Sequence, residues 1–340
     1  VGFVLDRAVI LAGGEGKRLW PWTGPFLPKP LLPLGGNSRT LLGATLDRLA
    51  GLVDLPAVVL QAESRLGQRL IDLETRISRE QLGTEPSARD TGPAVSLALA
   101  RIAREKPDAI VGLFPADHRI QDPAAFHRAI TLAARAARGG EVVLVGVPAR
   151  AALTCYGYLH WQQQADGLYA VRRFIEKPDP AQAEELVRAG DHAWNAGMIV
   201  TRADRWLEQL AHHAPALDQG VKQFLDHNDY AAWERTPARS IDYLLLEKLA
   251  GLAAVELDAG WDDVGGWEAV GRIVAAGDAG DARLRELIGP GAAGSLGITI
   301  VGTVGPLLLA EPGPWLAADG PEGSLLIRRD RQDQIKQLLG

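Results

Sequence analysis

The sequence predicts an α/β fold: a mostly parallel sheet flanked by helices, followed by a small β-rich C-terminal module. Three observations carry that expectation. Apolar, β-branched runs recur up to about Ala149, among them "AVILAGG", "AIVGLFPADH" and "EVVLVGVPA". Segments with apolar residues at helical spacing separate them. From about Gly289 the pattern turns to short apolar pieces divided by Gly and Pro. Strand–helix alternation of the first kind implies parallel strands covered on both faces.

The elements follow in order. "AVILAGG" reads as a buried strand running into a tight glycine loop, and "TLLGATLDRLAGL" as a helix. "PAVVLQAE" is the next strand, with a charged, helix-like stretch after it to Glu80. "DTGPAVSLALARIAREK" is helical, and "AIVGLFPADH" is a strand ending in a polar turn. "PAAFHRAITLAARAARGG" is a helix with Asp122 as its N-cap and glycines at its end. After the strand "EVVLVGVPA" the character changes. "YGYLHWQ" and "GLYAVRRFIEKP" read as antiparallel strands around "QQADG". Helices are expected around residues 180–190 and 203–250, and "AAVELDAGWDDVGGWEAV" as strand, loop and helix start. "SLGITIVGTVGPLLLAEPGPWLAA" is the β-rich module and "RRDRQDQIKQLLG" a terminal helix. The expected division is residues 1–285 and 286–340.

Composition narrows the function classes. The 340 residues suffice for one large domain and a smaller one. A hydrophobic content of 47% with 23% charged residues is ordinary for a soluble globular chain. A net charge of −6 argues against a general nucleic-acid binder. The single cysteine, Cys155, excludes an internal disulfide framework and a cysteine-rich zinc site. No apolar run is long enough to span a bilayer and no secretory start is present, so a cytoplasmic enzyme is the expectation.

The glycine loop "LAGGEGKRLWPWTGPFLPKP" holds the first candidate chemistry. Gly13, Gly14 and Gly16 can turn their N–H groups onto one anion, and Arg18 and Lys29 add positive charge. The loop is neither a dinucleotide fingerprint, since no third glycine follows Gly14-Glu15-Gly16 in register, nor a P-loop, since Gly16-Lys17 is followed by Arg18. Ligands of open α/β sheets bind beyond the carboxyl ends of strands, where this loop and "PADH" both lie.

Taken together, "LAGGEGKRLWP", "LPKP", "ARDTGPAVSLALA", "FPADH", "YGYL", "FIEKP", "WNAGMIV", "SIDYLLLEK" and "GWDDVGGW" resemble the mannose-1-phosphate guanylyltransferase family, within the sugar-nucleotidyltransferase superfamily. The resemblance extends over most of the chain and implies a Rossmann-like mixed sheet, the nucleotidyltransferase fold. It implies a short form, without the isomerase domain that long bacterial relatives append. One departure stands out: "WTGPFLPKPLLPL" is closer to the wider superfamily than to this family.

The resemblance implies a reaction in which GTP and mannose 1-phosphate give GDP-mannose and pyrophosphate. The attacking phosphate oxygen is already anionic, so no general base is required; positioned cations and Mg²⁺ carry the catalysis. The implied nucleotide site is Leu11, Ala12, Gly13, Gly14, Gly16, Arg18, Lys29, Glu85, Thr91, Pro93 and Asp117. Asp117 and Asp263 are the implied Mg²⁺ ligands; Asp262 competes with Asp263, and the "DVGGW" register favours Asp263. Gly157, Glu176, Lys177 and Asn195 form the implied sugar-phosphate side, with Lys177 neutralising the phosphate. Arg18, Lys29, Asp117, Lys177 and Asp263 are the implied catalytic set. No nucleic-acid or membrane partner is expected, and a homodimer is allowed. The alternatives are a different sugar 1-phosphate or nucleotide, or a non-catalytic nucleotide-sugar-binding regulatory subunit. Such a subunit should lack loop, metal or lysine residues, all of which are present.

Overall fold

A computed structural model describes residues 2–13, 16–24, 27–36, 39–54, 57–60, 77–164, 167–275, 299–301 and 315–339. Nine strands form one sheet: β1 (Arg7–Leu11), β2 (Ala57–Leu60), β3 (Leu82–Thr84), β4 (Ile110–Pro115), β5 (Val143–Pro148), β6 (Tyr158–Gln163), β7 (Leu168–Ile175), β8 (His192–Arg202) and β9 (Ala253–Glu256). Their order is β3-β2-β1-β4-β8-β5-β9-β7-β6. β1, β2, β3 and β4 pair in parallel, as do β5 and β9, while β7 and β8 run against their neighbours. The expected mixed, mostly parallel sheet is therefore present.

Alternating side chains put the sheet between two cores. Ala8 and Ile10 face the first, with Leu42, Leu46 and Leu49 of α1 (Leu41–Leu49) and Phe126, Ile130 and Ala134 further along the chain. Val9, Val111 and Leu113 face the second, packed by α2 (Thr91–Glu105). On that second face also lie Trp206, Leu217 and Trp233, all fully buried. Phe126, Ile130 and Ala134 sit on α3 (Pro123–Arg138), whose N-cap Asp122 accepts from the N–H groups of Ala124 and Ala125. α4 (Pro180–Ala189) falls where a helix is expected.

Two expectations are modified, and a third falls mostly outside the described residues. The helical region 203–250 is four pieces: α5 (Ala203–His213), α6 (Pro215–His227), α7 (Tyr230–Glu234) and α8 (Ile241–Leu244). Pro215 and the left-handed Asn228, φ 53°, supply the breaks. "WNAGMIV", expected only as a motif, lies within the central antiparallel strand β8, "HAWNAGMIVTR". Its register against β5 shifts between Leu144 and Gly146, so β8 bulges around the left-handed Gly197, φ 65°. The charged stretch after β2 lies outside the described residues up to 76, and Arg79–Gln81 is a short 3-10 turn.

The expected β-rich C-terminal module holds β10 (Thr299–Val301), β11 (Trp315–Gly320) and β12 (Gly323–Arg328) in one small sheet. The terminal helix is mostly a 3-10 segment, Arg329–Gln334. The run "RRDRQDQ" offers no apolar stripe to bury. The module does not stand apart. Leu316, Ala318, Ile327 and Ile335 share a third core with Leu19, Trp22, Leu32 and Leu34 after the glycine loop, and with α9 (Trp267–Ala275). The expected boundary near residue 285 lies outside the described residues.

Candidate active site

The site forms where the strand ends converge. Leu11 pairs with Pro115, and the Leu11 carbonyl accepts from Ala116 N at 3.0 Å. The glycine loop and the "PADH" turn therefore leave the sheet side by side. Ala12 is buried and Gly13 exposed, while Gly14 lies outside the described residues. Gly16 is left-handed, φ 66°, and a Cβ there would stand 2.7 Å from Lys29 Cβ, so this position needs glycine for the lysine to approach. Thr23 Oγ1 donates to the Gly16 carbonyl at 2.8 Å.

Asp117 and Asp263 come together although β4 and β9 are separated by two strands. The loops beyond those strands pair directly. Arg119 N donates to Asp262 O at 2.8 Å, Asp262 N to Arg119 O at 2.9 Å, and Gln121 N to Ala259 O at 2.8 Å. Asp262 is spent inside its turn, accepting from Val264 N at 2.7 Å and from Arg272 at 2.8 Å. Asp263 lines the pocket described below, and Asp262 does not.

Lys29 joins the two aspartates. Its Nζ donates to Asp117 Oδ2 at 2.8 Å and to the Asp263 carbonyl at 2.5 Å. Burial pushes the Asp117 carboxyl up, but the Lys29 ammonium and His118 outweigh it and hold that carboxyl below its ordinary range. Burial pulls the His118 imidazole down. Trp261 Nε1 donates to His118 Nδ1 at 3.1 Å, which assigns the proton to Nε2. Gly16, Lys17, Arg18, Lys29, Ala88, Asp117, His118 and Asp263 line one open pocket of about 530 Å³.

The sugar-phosphate candidates adjoin this pocket through Tyr156. Its hydroxyl donates to Asp263 Oδ1 at 2.7 Å, and its ring meets Trp194 and Trp261 edge-on. Burial and the Asp263 charge push the phenol far above its usual range. Asn195 N donates to Gly157 O at 2.8 Å, and Lys177 N to Tyr156 O at 3.2 Å. A Cβ at Gly157 would stand 2.5 Å from Glu176 Oε2. Lys177 Nζ donates to Glu176 Oε1 at 2.5 Å; burial opposes the ammonium, but Glu176 raises it above the ordinary lysine value.

Sequence reasoning missed Asp242. Asn195 Nδ2 donates to Asp242 Oδ1 at 3.1 Å, and Asn195 Oδ1 accepts from Gly197 N at 3.1 Å across the bulge. Burial, then the Glu176 charge, push the Asp242 carboxyl up to about 6. Asp242 lies in "SIDY" and Tyr156 in "YGY", so the motifs marked both, but only the fold gives them partners.

The base-side residues stand apart from Lys29. Glu85 follows β3, is buried, and has Oε2 without a hydrogen-bond partner. Burial pushes its carboxyl up to about 7, against the pull of Arg101. Thr91 and Pro93 open α2, where Thr91 Oγ1 accepts from Ile241 N at 3.1 Å. Only Ala88 of this loop lines the 530 Å³ pocket. Among the described residues, three of the four non-glycine positions with positive φ (Asp90, Lys177 and Val264) flank these groups. Such conformations cost of order 1–3 kcal/mol and cluster at functional sites.

Two carboxylates facing a cationic pocket fit a hard divalent cation, which takes one or two carboxylates and completes its shell with phosphate oxygens and water. Among the described residues, no group of three or more His, Cys, Asp or Glu gathers to hold a metal on protein ligands alone. Asp117 and Asp263 thus suit an ion shared with a phosphate substrate.

The family model described as nucleotidyl transferase matches residues 7–276. The chain belongs to the nucleotidyl transferase family. Nucleotidyl transferases of this family generally use a divalent metal. The chain is 39% identical over 276 residues to alginate biosynthesis protein AlgA of Pseudomonas aeruginosa, covering 77% of this chain and 57% of that protein. It is 34% identical over 281 residues to a mannose-1-phosphate guanylyltransferase of Klebsiella pneumoniae, covering 78% of this chain and 59% of that one. The chain thus spans under two thirds of these relatives' length. A Thermus thermophilus crystal structure described as mannose-1-phosphate geranyltransferase matches with a TM-score of 0.80 at 27% identity, covering 98% of both chains. Among the described residues, no helix of this nucleotidyl transferase is long and apolar enough to cross a membrane.

Proposed function

We propose that the chain transfers a guanylyl group from GTP to mannose 1-phosphate, giving GDP-mannose and pyrophosphate. The observation that carries this reading is Lys29 held between Asp117 and Asp263, in a cationic pocket that Tyr156 joins to a second lysine site at Lys177. Two polyanions need two such places side by side. A mannose 1-phosphate oxygen attacks the α-phosphorus of GTP, the bond to the β-phosphate's bridging oxygen breaks, and pyrophosphate leaves with that electron pair. The incoming oxygen carries its own negative charge, so no proton need be removed. Lys29 and Arg18 neutralise charge on the triphosphate, and Lys177 does so on the sugar phosphate. Mg²⁺, when bound by Asp117 and Asp263, supplies further charge neutralisation at the phosphates.

Glu85 supports guanine as the base. A buried carboxylate with a free oxygen can accept from guanine N1–H and the exocyclic amine, a donor pair that adenine lacks on that edge. The name of the Klebsiella pneumoniae relative, mannose-1-phosphate guanylyltransferase, points to the same substrates. A pyrophosphate-release assay with GTP, ATP, UTP and dTTP against mannose and glucose 1-phosphates tests the whole reading. GTP with mannose 1-phosphate should give the highest kcat/KM. A different best pair would overturn the substrate assignment, and no release with any pair would overturn the chemistry.

Asn195 and Lys177 should divide the sugar and phosphate roles. Mannose and glucose 1-phosphates differ only at C2, so the lysine cannot tell them apart. Asn195, its amide fixed by Asp242 and Gly197, can fit an axial hydroxyl and miss an equatorial one. An unpaired buried polar group costs about 1–3 kcal/mol. Asn195→Ala should therefore narrow the mannose-to-glucose ratio of kcat/KM by about tenfold, while Lys177→Ala depresses both substrates about equally. An unchanged ratio in Asn195→Ala would move sugar reading to the backbone around Gly157.

A further inference from the structure

One wall of the pocket lies beyond the family model, which ends at residue 276. Lys336, from the C-terminal segment, lines the pocket together with Gly16, Arg18, Lys29 and Asp263. Packing puts it there. The closing turn α10 (Ile335–Leu338) rests on the 3-10 turn Lys17–Leu19 of the glycine loop. Ile335 is 1% exposed, in the core it shares with Leu19, Val264 and Trp267. The hairpin β11–β12 is seated as firmly: Glu322 N donates to Pro21 O at 3.4 Å, and a Cβ on Gly320 would stand 2.5 Å from the same oxygen. The anchored Ile335 thus delivers the next residue, an exposed lysine, to the rim of the site.

Charge distinguishes Lys336 from Lys29 and Lys177. Lys29 is paired with Asp117, and Lys177 with Glu176. Among the described residues Lys336 enters no ion pair. It approaches from the glycine-loop side, where Gly16 and Arg18 stand, and not from the wall of Gly157, Glu176 and Asn195. The polyanion that the glycine-loop side would take is the tail of a nucleoside triphosphate.

We propose that Lys336 is a substrate contact, its ammonium binding the β- and γ-phosphates of the triphosphate and the pyrophosphate they become. This rests on the nucleotidyl transfer proposed above and adds to it a residue from the C-terminal module. That module then completes the nucleotide site, in addition to covering apolar surface.

The reverse reaction isolates the contact, because GDP-mannose carries no β,γ-pyrophosphate tail. With GDP-mannose and pyrophosphate as substrates, K336A should raise KM for pyrophosphate about tenfold, the size expected for one charge-assisted contact. KM for GDP-mannose should stay where it is, and K336R should restore pyrophosphate KM to within about threefold of the parent. An unchanged pyrophosphate KM overturns the proposal. An equal rise in both KM values also overturns it, since that marks a structural role. Should the parent protein not turn over GDP-mannose, the proposed function falls, and Lys336 is judged by calorimetric titration with inorganic tripolyphosphate. Binding about tenfold weaker in K336A then supports the contact, and equal binding overturns it.

Discussion

Asp117→Asn and Asp263→Asn should each lower kcat by about 10³-fold while the protein stays folded, the scale of removing one preorganised charge from a transition state. The substitution keeps shape and acceptor oxygens. Asn at 263 can still accept from Tyr156 and from Gly265 N, as Asp263 Oδ1 does at 2.7 and 3.1 Å. Asn at 117 can still accept from Lys29, so each change removes charge far more than structure. Thermal melting should therefore move little. Binding of Mn²⁺ in the presence of GTP, followed by electron paramagnetic resonance, should weaken in both variants. That readout separates a metal ligand from a residue that only positions Lys29. Near-normal turnover of either variant at ordinary Mg²⁺ would remove that residue from the metal site.

Lys29→Ala should lower kcat by about 10²–10³-fold, with a smaller change in the KM for GTP. The Lys29 side chain is 12% exposed, and its ammonium bridges Asp117 to the Asp263 carbonyl. On the proposed reaction its charge would stand beside the transferring phosphate, and so would gain most value as charge shifts onto the leaving oxygen. The neighbouring prolines fix the backbone: Pro28 is extended and Pro30 sits in the first turn after it. A variant in which only the KM for GTP rose would assign Lys29 to ground-state binding.

Local patterns made much of this molecule legible. Continuous apolar runs predict strands such as β1, β4 and β5, because each buries both faces within a few residues. Asp122 before Pro123 marks a helix start that the structure contains. Arg18 and Lys29 could be named from the glycine loop they follow, and Asp117 and Asp263 from the motifs "FPADH" and "GWDDVGGW" that carry the family resemblance. β8 was not legible as a strand: Asn195 and Gly197 interrupt its apolar run, and the bulge they form is what presents Asn195.

The sequence by itself determined the layered α/β plan, the glycine loop and the identity of the charged side chains, since these depend on neighbours within a turn or a strand. Only the tertiary structure decided which distant groups meet. The pairing of Arg119 with Asp262 across the sheet brings Asp117 and Asp263 to one lysine. Asp242 reaches Asn195 by packing of α8 against the second core, and Lys336 reaches the glycine loop because Ile335 must be buried. No spacing in the chain encodes these contacts. They arise because apolar surfaces far apart in sequence share cores, and polar side chains beside those surfaces are carried along.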